Sequence, residues 1–220
     1  MPLTRLEMET AQRRAKTMRD REYGQEMELR VLNINSEDEE NKKSYMVEGY
    51  ASTFEPYFMF REDGIDYYEQ IDPKAFDDAD MSDVVFRVDH VGSVYARTSA
   101  GTVNLWVDEH GLGQKTDLSK TQKARELFDD IEAGNYPKMS FAFTVAEGGD
   151  RFDRATHTRI INRIAKVYDV SPVSFPANPT TELSVSTRDY FNGVIEAEKA
   201  ERLEREKFEF RKRKLSILER

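Results

Sequence analysis

Cysteine is absent and histidine occurs three times in 220 residues, so any covalent chemistry falls to oxygen nucleophiles. A serine hydroxyl is a poor nucleophile at neutral pH. It needs a base that titrates near neutrality and a third group to fix that base's tautomer. Histidine is the side chain suited to the base, which leaves His90, His110 and His157. His90 follows the run Val84-Val85-Phe86-Arg87-Val88, a strand end where a side chain can face a cleft while the strand holds its backbone rigid. His110, in Asp108-Glu109-His110-Gly111, and His157, after a glycine-rich turn and near a hairpin tip, both read as solvated. Ser140 lies in Lys138-Met139-Ser140-Phe141-Ala142-Phe143. There it could project into the cleft of His90, or simply mark the start of a strand. No two histidines stand at ligand spacing and there are no thiolates, which disfavours zinc.

The elements that must position these groups are mostly short strands. Met46 to Phe54, Val84 to Val88, Thr102 to Val107, Phe141 to Val145 and Arg159 to Val167 are rich in β-branched and aromatic residues. Turn signals such as Ala100-Gly101, Glu109-His110-Gly111 and Glu147-Gly148-Gly149-Asp150 separate them. One helix interrupts the strands. After Ser119 or Thr121 as cap, Ala124, Leu127, Phe128 and Ile131 fall at i, i+3, i+4 and i+7, and Gly134 and Pro137 end the run. The pattern predicts a mainly β, α+β fold: a small closed or nearly closed β-barrel with packed helix.

Both ends differ from this body. Residues 1–44 read as a charged, helix-prone arm that ends in a polar break from Asn33 to Asn41. Residues 189–220 read as a charged, solvated helix carrying Glu198/Arg202 and Glu201/Arg205 at i,i+4 and a basic run from Arg211 to Lys214. Between them lies a 45–188 core domain. Residues 31–195 hold 17 Lys/Arg against 29 Asp/Glu. So acidic a body lacks the basic stripe that a nucleic-acid groove uses to displace counterions. No window approaches the ~20 apolar residues of a membrane-spanning helix, and the N-terminus lacks the apolar core of a signal peptide. The expectation is a soluble, intracellular chain with no nucleic-acid or membrane partner.

Several segments then recur in a fixed order: Val47-Glu48-Gly49-Tyr50-Ala51, Glu69-Gln70-Ile71-Asp72-Pro73-Lys74-Ala75-Phe76, and Asp89-His90. They continue with Ala96-Arg97-Thr98, Ile131-Glu132-Ala133-Gly134, Met139-Ser140-Phe141-Ala142-Phe143, and Asp169-Val170-Ser171-Pro172-Val173-Ser174-Phe175-Pro176-Ala177. Over roughly residues 45–180 this order resembles the tailed-phage prohead (capsid maturation) serine protease family, which is related in fold to the herpesvirus assembly protease. The departures are Lys74 and Ala142, at positions where the family commonly has glycine.

The resemblance implies a serine endopeptidase, without cofactor or metal, that works inside assembling proheads in the host bacterial cytoplasm. It would cleave internal scaffold segments of the major capsid protein precursor, its substrate and assembly partner, and also itself. Herpesvirus relatives dimerise, so a homo-oligomer is within the expectation. Carried over by position, Ser140 is the nucleophile, His90 the general base and Asp169 the group that orients His90, with His157 as the runner-up for that third role. Ser171 and Ser174 are alternative nucleophiles on paper, but the following Pro172 and Pro176 suggest constrained structural strand edges. Two other readings exist. In one the same barrel is a non-catalytic scaffold or capsid-interacting module. The other, a small-molecule esterase, lacks a Gly-x-Ser-x-Gly elbow.

Overall fold

The computed structural model describes residues 22–23, 27–32, 44–174 and 185–218. The predicted helical arm over residues 1–21, the break from Asn33 to Asn41, and Phe175-Pro176-Ala177 lie outside the described residues. In chain order the strands are β1 (Glu22–Tyr23), β2 (Met27–Leu32), β3 (Met46–Thr53), β4 (Tyr57–Glu62) and β5 (Ile65–Ile71). Next come β6 (Val85–Arg87), β7 (Val94–Arg97), β8 (Val103–Val107) and β9 (Gly111–Asp117). Helix α1 (Gln122–Glu132) precedes β10 (Lys138–Val145), β11 (Asp150–Asp153), β12 (Thr158–Ile161) and β13 (Ile164–Val173), and the long helix α2 (Val185–Leu218) ends the described chain. Among the described residues the fold is mainly β with two α-helices, an α+β class.

Nine strands form one sheet in the order β7-β6-β13-β10-β2-β3-β9-β8, with β1 also paired to β10. A second sheet runs β11-β12-β5-β4. Both lie within the compact unit Arg21–Leu183, whereas α2 belongs to a separate unit. In α2, Phe191 and Ile195 are buried one turn apart, and Leu203, Phe208 and Phe210 are exposed.

The core is built by alternation. Met139, Phe141 and Phe143 project from one face of β10 and join Val167 and Val170 of β13, Phe86 of β6 and Phe128 of α1 in one buried cluster. The Phe141 and Phe143 rings stack at 4.6 Å, and Phe76 meets Phe141 at 6.0 Å. Burying each such side chain contributes ~2–3 kcal/mol by removal from water. The other face of β10, with Ser140 and Ala142, is also buried but lies outside that cluster. Two glycines of β9 are required by close approach: a Cβ at Gly111 would stand 1.9 Å from the Ser52 carbonyl oxygen, and one at Gly113 2.2 Å from the Trp106 ring.

Helix α1 follows its sequence signal closely. Thr121 Oγ1 accepts the Ala124 N–H at 3.1 Å, and the buried residues are Ala124, Leu127, Phe128 and Ile131. Gly134, with φ +83, turns the chain out of the helix.

Strands the sequence reading did not resolve have local causes. Residues 27–32, assigned to the helix-prone arm, form β2 between β3 and β10. Met27, Leu29 and Val31 alternate with Glu28 and Arg30, a period-2 pattern that the surrounding charge obscured. The stretch from Arg159 to Val167 divides into β12 and β13, because Asn162 and Arg163 both donate their N–H groups to the Gly149 carbonyl. Lys74 sits in a turn where its N–H donates to Asp72 Oδ1 at 2.9 Å. It is not among the residues with positive φ, so the backbone there does not call for glycine.

Candidate active site

Strands β10 and β13 set the first two groups. They pair antiparallel with Ser140 opposite Ser171 and Ala142 opposite Asp169. Residues directly opposite share a face, as do residues two apart on one strand. Ser140, Ala142, Ser171 and Asp169 therefore stand on the face of the ladder that turns away from the Phe141 and Phe143 rings. Immediately beyond Asp169 the register shifts, so that Phe143 pairs with Val167 and Tyr168 is left as the extra residue. Such a bulge bends the strand and re-aims neighbouring side chains. Ser140 is 2% exposed, and Ala142 and Ser171 are fully buried. The Ala142 methyl thus fits where the family commonly has glycine.

His90 comes from the strand on the other side of β13. Strand β6 runs parallel to β13, with Val85 beside Asp169 and Phe86 beside Val170. Before β6, Asp80 bonds Lys166 of β13 at 2.7 Å, and Asp83 bonds Arg97 of β7. The Lys166 ammonium, followed by the Ser82 hydroxyl and N–H, holds the Asp80 carboxyl far below the usual carboxylate range. After β6 the chain reverses through Val88-Asp89-His90-Val91. Val91 N–H donates to the Val88 carbonyl at 3.0 Å, and Asp89 and His90 have φ of 46° and 57°. Two successive positive φ values are the mark of a type I′ turn.

The turn brings the imidazole back over β13. His90 Nδ1 lies 2.6 Å from Asp169 Oδ1, with the His90 side chain 12% exposed and that of Asp169 1%. Ser171 Oγ donates to the same oxygen at 2.7 Å. The second oxygen, Asp169 Oδ2, is buried with no hydrogen-bond partner among the described residues. One carboxylate oxygen thus takes both donors. With Nδ1 engaged there, the proton-accepting position of the neutral ring is Nε2.

Of the residues singled out in the sequence, His90 and Asp169 meet in a hydrogen bond, and Ser140 shares the ladder face with Asp169. His157 is elsewhere. It ends the β11–β12 turn with φ +51, and its ring packs on Tyr67 at 5.6 Å and Phe152 at 6.4 Å. It is partly buried, with Nδ1 inaccessible, where the sequence suggested a solvated side chain. His110 lies between β8 and β9 against the Tyr50 ring. Ser171 and Ser174, the alternative nucleophiles, both spend their hydroxyls on carboxylates: Ser171 on Asp169, and Ser174 on Asp89 at 3.0 Å. The sequence held no signal for these roles. Each joins groups that only the sheet register and the reversal after β6 bring together.

Among known proteins, the sequence model of one family, described as caudovirus prohead serine protease, matches residues 31–194. The match includes every strand from β3 to β13. No curated protein and no solved structure matches the chain.

Proposed function

The chain belongs to the caudovirus prohead serine protease family, and from that membership we propose that it is a serine endopeptidase that cleaves the internal scaffold segment of the capsid precursor, and itself, within the assembling prohead in the host cytoplasm. Ser140 is the nucleophile, His90 the general base and Asp169 the orienting carboxylate. The observation that carries this assignment is the 2.6 Å contact between His90 Nδ1 and Asp169 Oδ1 on the ladder face shared with Ser140.

The roles follow from chemistry. His90 Nδ1–H donates to Asp169, which fixes the tautomer and leaves Nε2 unprotonated. Ser140 Oγ attacks the scissile carbonyl carbon as its proton passes to Nε2, and Asp169 stabilises the imidazolium formed. Collapse of the tetrahedral intermediate breaks the C–N bond, with the Nε2 proton going to the leaving amine. Water then attacks the acyl-enzyme with His90 again as base, releasing the new carboxylate and restoring Ser140. A buried, nearly dry setting strengthens each of these electrostatic steps.

The small closed or nearly closed barrel belongs to the same reading, and the two sheets of the unit would supply its walls. An extended substrate adds along a strand edge, and β7, the outer strand on the His90 side with Val94 exposed, is suited to receive it. The protease domain takes in β2 as well as residues 45–188, and the chain before that unit and residues 189–220 serve in targeting to the shell or in self-processing. Removal of 190–220 should then lower packaging of the enzyme into proheads, and unchanged packaging counts against targeting by that tail. Herpesvirus-like dimerisation belongs to the same reading.

The test is co-assembly of the Ser140→Ala chain with its capsid precursor. Scaffold cleavage stops while the variant remains folded. Persistent cleavage by purified Ser140→Ala protein overturns Ser140 as the nucleophile, whereas a parent chain that leaves its capsid precursor uncut is a non-catalytic capsid-interacting module.

A further inference from the structure

We propose that Asp89 is a positioning residue whose carboxylate clamps the left-handed turn that holds His90 against Asp169, acting through geometry and not through its charge. Its kinetic consequence rests on the serine endopeptidase reading above; its structural consequence does not.

The turn needs a clamp. Two consecutive non-glycine residues with positive φ, Asp89 at 46° and His90 at 57°, occupy a sparsely populated region that persists where surrounding contacts over-determine it. Those contacts run to one place. Asp89 N–H donates to the Pro172 carbonyl at 3.1 Å. Asp89 Oδ1 accepts the Ser174 N–H at 2.9 Å, and Asp89 Oδ2 accepts the Ser174 hydroxyl at 3.0 Å. On either side of the turn, Arg87 donates to the Gly92 carbonyl at 2.8 Å.

The backbone and side chain of Asp89 are thus both fastened to residues 172 and 174, three and five positions beyond Asp169 on the same stretch of chain. The residue before the base is tied to the segment that carries the orienting acid. With that fastening intact, the separation between the imidazole and the Asp169 carboxylate is fixed by two neighbouring attachments on one rigid strand end. Without it, His90 is carried by a turn whose own backbone preference works against the observed conformation.

Three substitutions separate the contributions. Asp89→Asn keeps an oxygen acceptor for the Ser174 N–H and tolerance of left-handed φ, and removes the charge. Asp89→Gly keeps the backbone conformation and removes the acceptor. Asp89→Ala removes both. The experiment measures kcat/KM for a cleaved capsid-precursor peptide and, in the Ser140→Ala background, the downfield proton resonance of His90 Nδ1–H. Asp89→Ala should lower kcat/KM about ten- to a hundred-fold, the scale of a small misplacement of a catalytic group. Asp89→Gly should show a smaller loss, and Asp89→Asn should recover most of what Asp89→Ala loses. The Nδ1–H resonance should broaden or vanish with Gly and Ala and remain with Asn. If Asn loses as much as Ala in both readouts, or if the resonance is unchanged in Gly and Ala, the proposal fails. Because the resonance is recorded without the Ser140 hydroxyl, it decides the clamp even if Ser140→Ala itself still cleaves, a result that sinks only the assignment of Ser140 as nucleophile.

Discussion

Ser171 stands directly opposite Ser140 on the β10–β13 ladder and donates its hydroxyl to Asp169, two residues back on its own strand, at 2.7 Å. The two serines look alike in sequence, since each lies in a polar–apolar strand segment, but the register gives them different neighbours. Ser140 is opposite a hydroxyl already committed to the carboxylate, whereas Ser171 helps hold that carboxylate beneath His90. This asymmetry yields the first prediction. Ser171→Ala should reduce kcat about ten-fold while leaving measurable cleavage, since it removes one hydrogen bond to a charged group, worth ~1.5–3 kcal/mol. Complete loss, equal to that of Ser140→Ala in the same peptide assay, argues that Ser171 is the nucleophile.

Asp169→Asn should be far more severe. The amide cannot accept the Nδ1 proton in the same way on its nitrogen, so the neutral ring is free to adopt the wrong tautomer. A loss of about 10⁴ in kcat is expected, with the fold intact. Steady-state kinetics together with a far-ultraviolet circular dichroism spectrum check it. An active Asp169→Asn enzyme would move the third role to another group. His157 is poorly placed for that role, being engaged with the Tyr67 and Phe152 rings.

The face of β10 opposite Ser140 carries the stability. Phe141 is fully buried and contacts Phe143 and Phe76. Phe141→Ala should cost ~3–5 kcal/mol in urea unfolding, with activity lost in proportion to the unfolded fraction. A change below ~1 kcal/mol would mean that the β10 core face collapses around the missing ring.

How much of this was legible in the sequence depends on the range of the contacts involved. Helix α1 was readable because its cap, its apolar stripe and its stop all lie within about four turns of chain. The β4–β5 hairpin was missed although Asp63-Gly64 marks its turn, with φ of 52° and 81°. Its strands carry Glu62, Asp66 and Glu69 among the aromatics, and Glu69 pairs with Arg159, 90 residues away, at 3.1 Å. Strand β2 was hidden for the same reason. Ser140, His90 and Asp169 could be singled out as a set through family resemblance, because their separations reflect strand order and no local period. The Ser171–Asp169 and Ser174–Asp89 bonds had no sequence signature, because serine near proline is an ordinary strand-edge pattern.

Acid sensitivity has a separate source at the β8–β9 turn. Asp108 accepts the Tyr50 hydroxyl at 2.7 Å and the His110 N–H at 2.8 Å. The Tyr50 bond first, and then the His110 N–H, bring its carboxyl down to about 2. A folded-state value below the unfolded one of ~3.9 means the contribution is complete above that pH and disappears as pH falls toward 2. Thermal unfolding of Asp108→Asn should therefore differ from the parent chain at pH 6, and the two should converge between about pH 4 and pH 2. A difference that does not change with pH would assign the effect to packing.

The central claim is tested most directly by labelling. Protein that cleaves its capsid precursor is treated with a fluorophosphonate, which transfers its phosphonyl group to an activated serine with loss of fluoride, and the modified peptide is mapped by mass spectrometry. The account predicts one label on Ser140, stoichiometric with loss of cleavage, and none in a His90→Ala chain. A label on Ser171 or Ser174, or cleavage that continues at full rate with Ser140 modified, would contradict it.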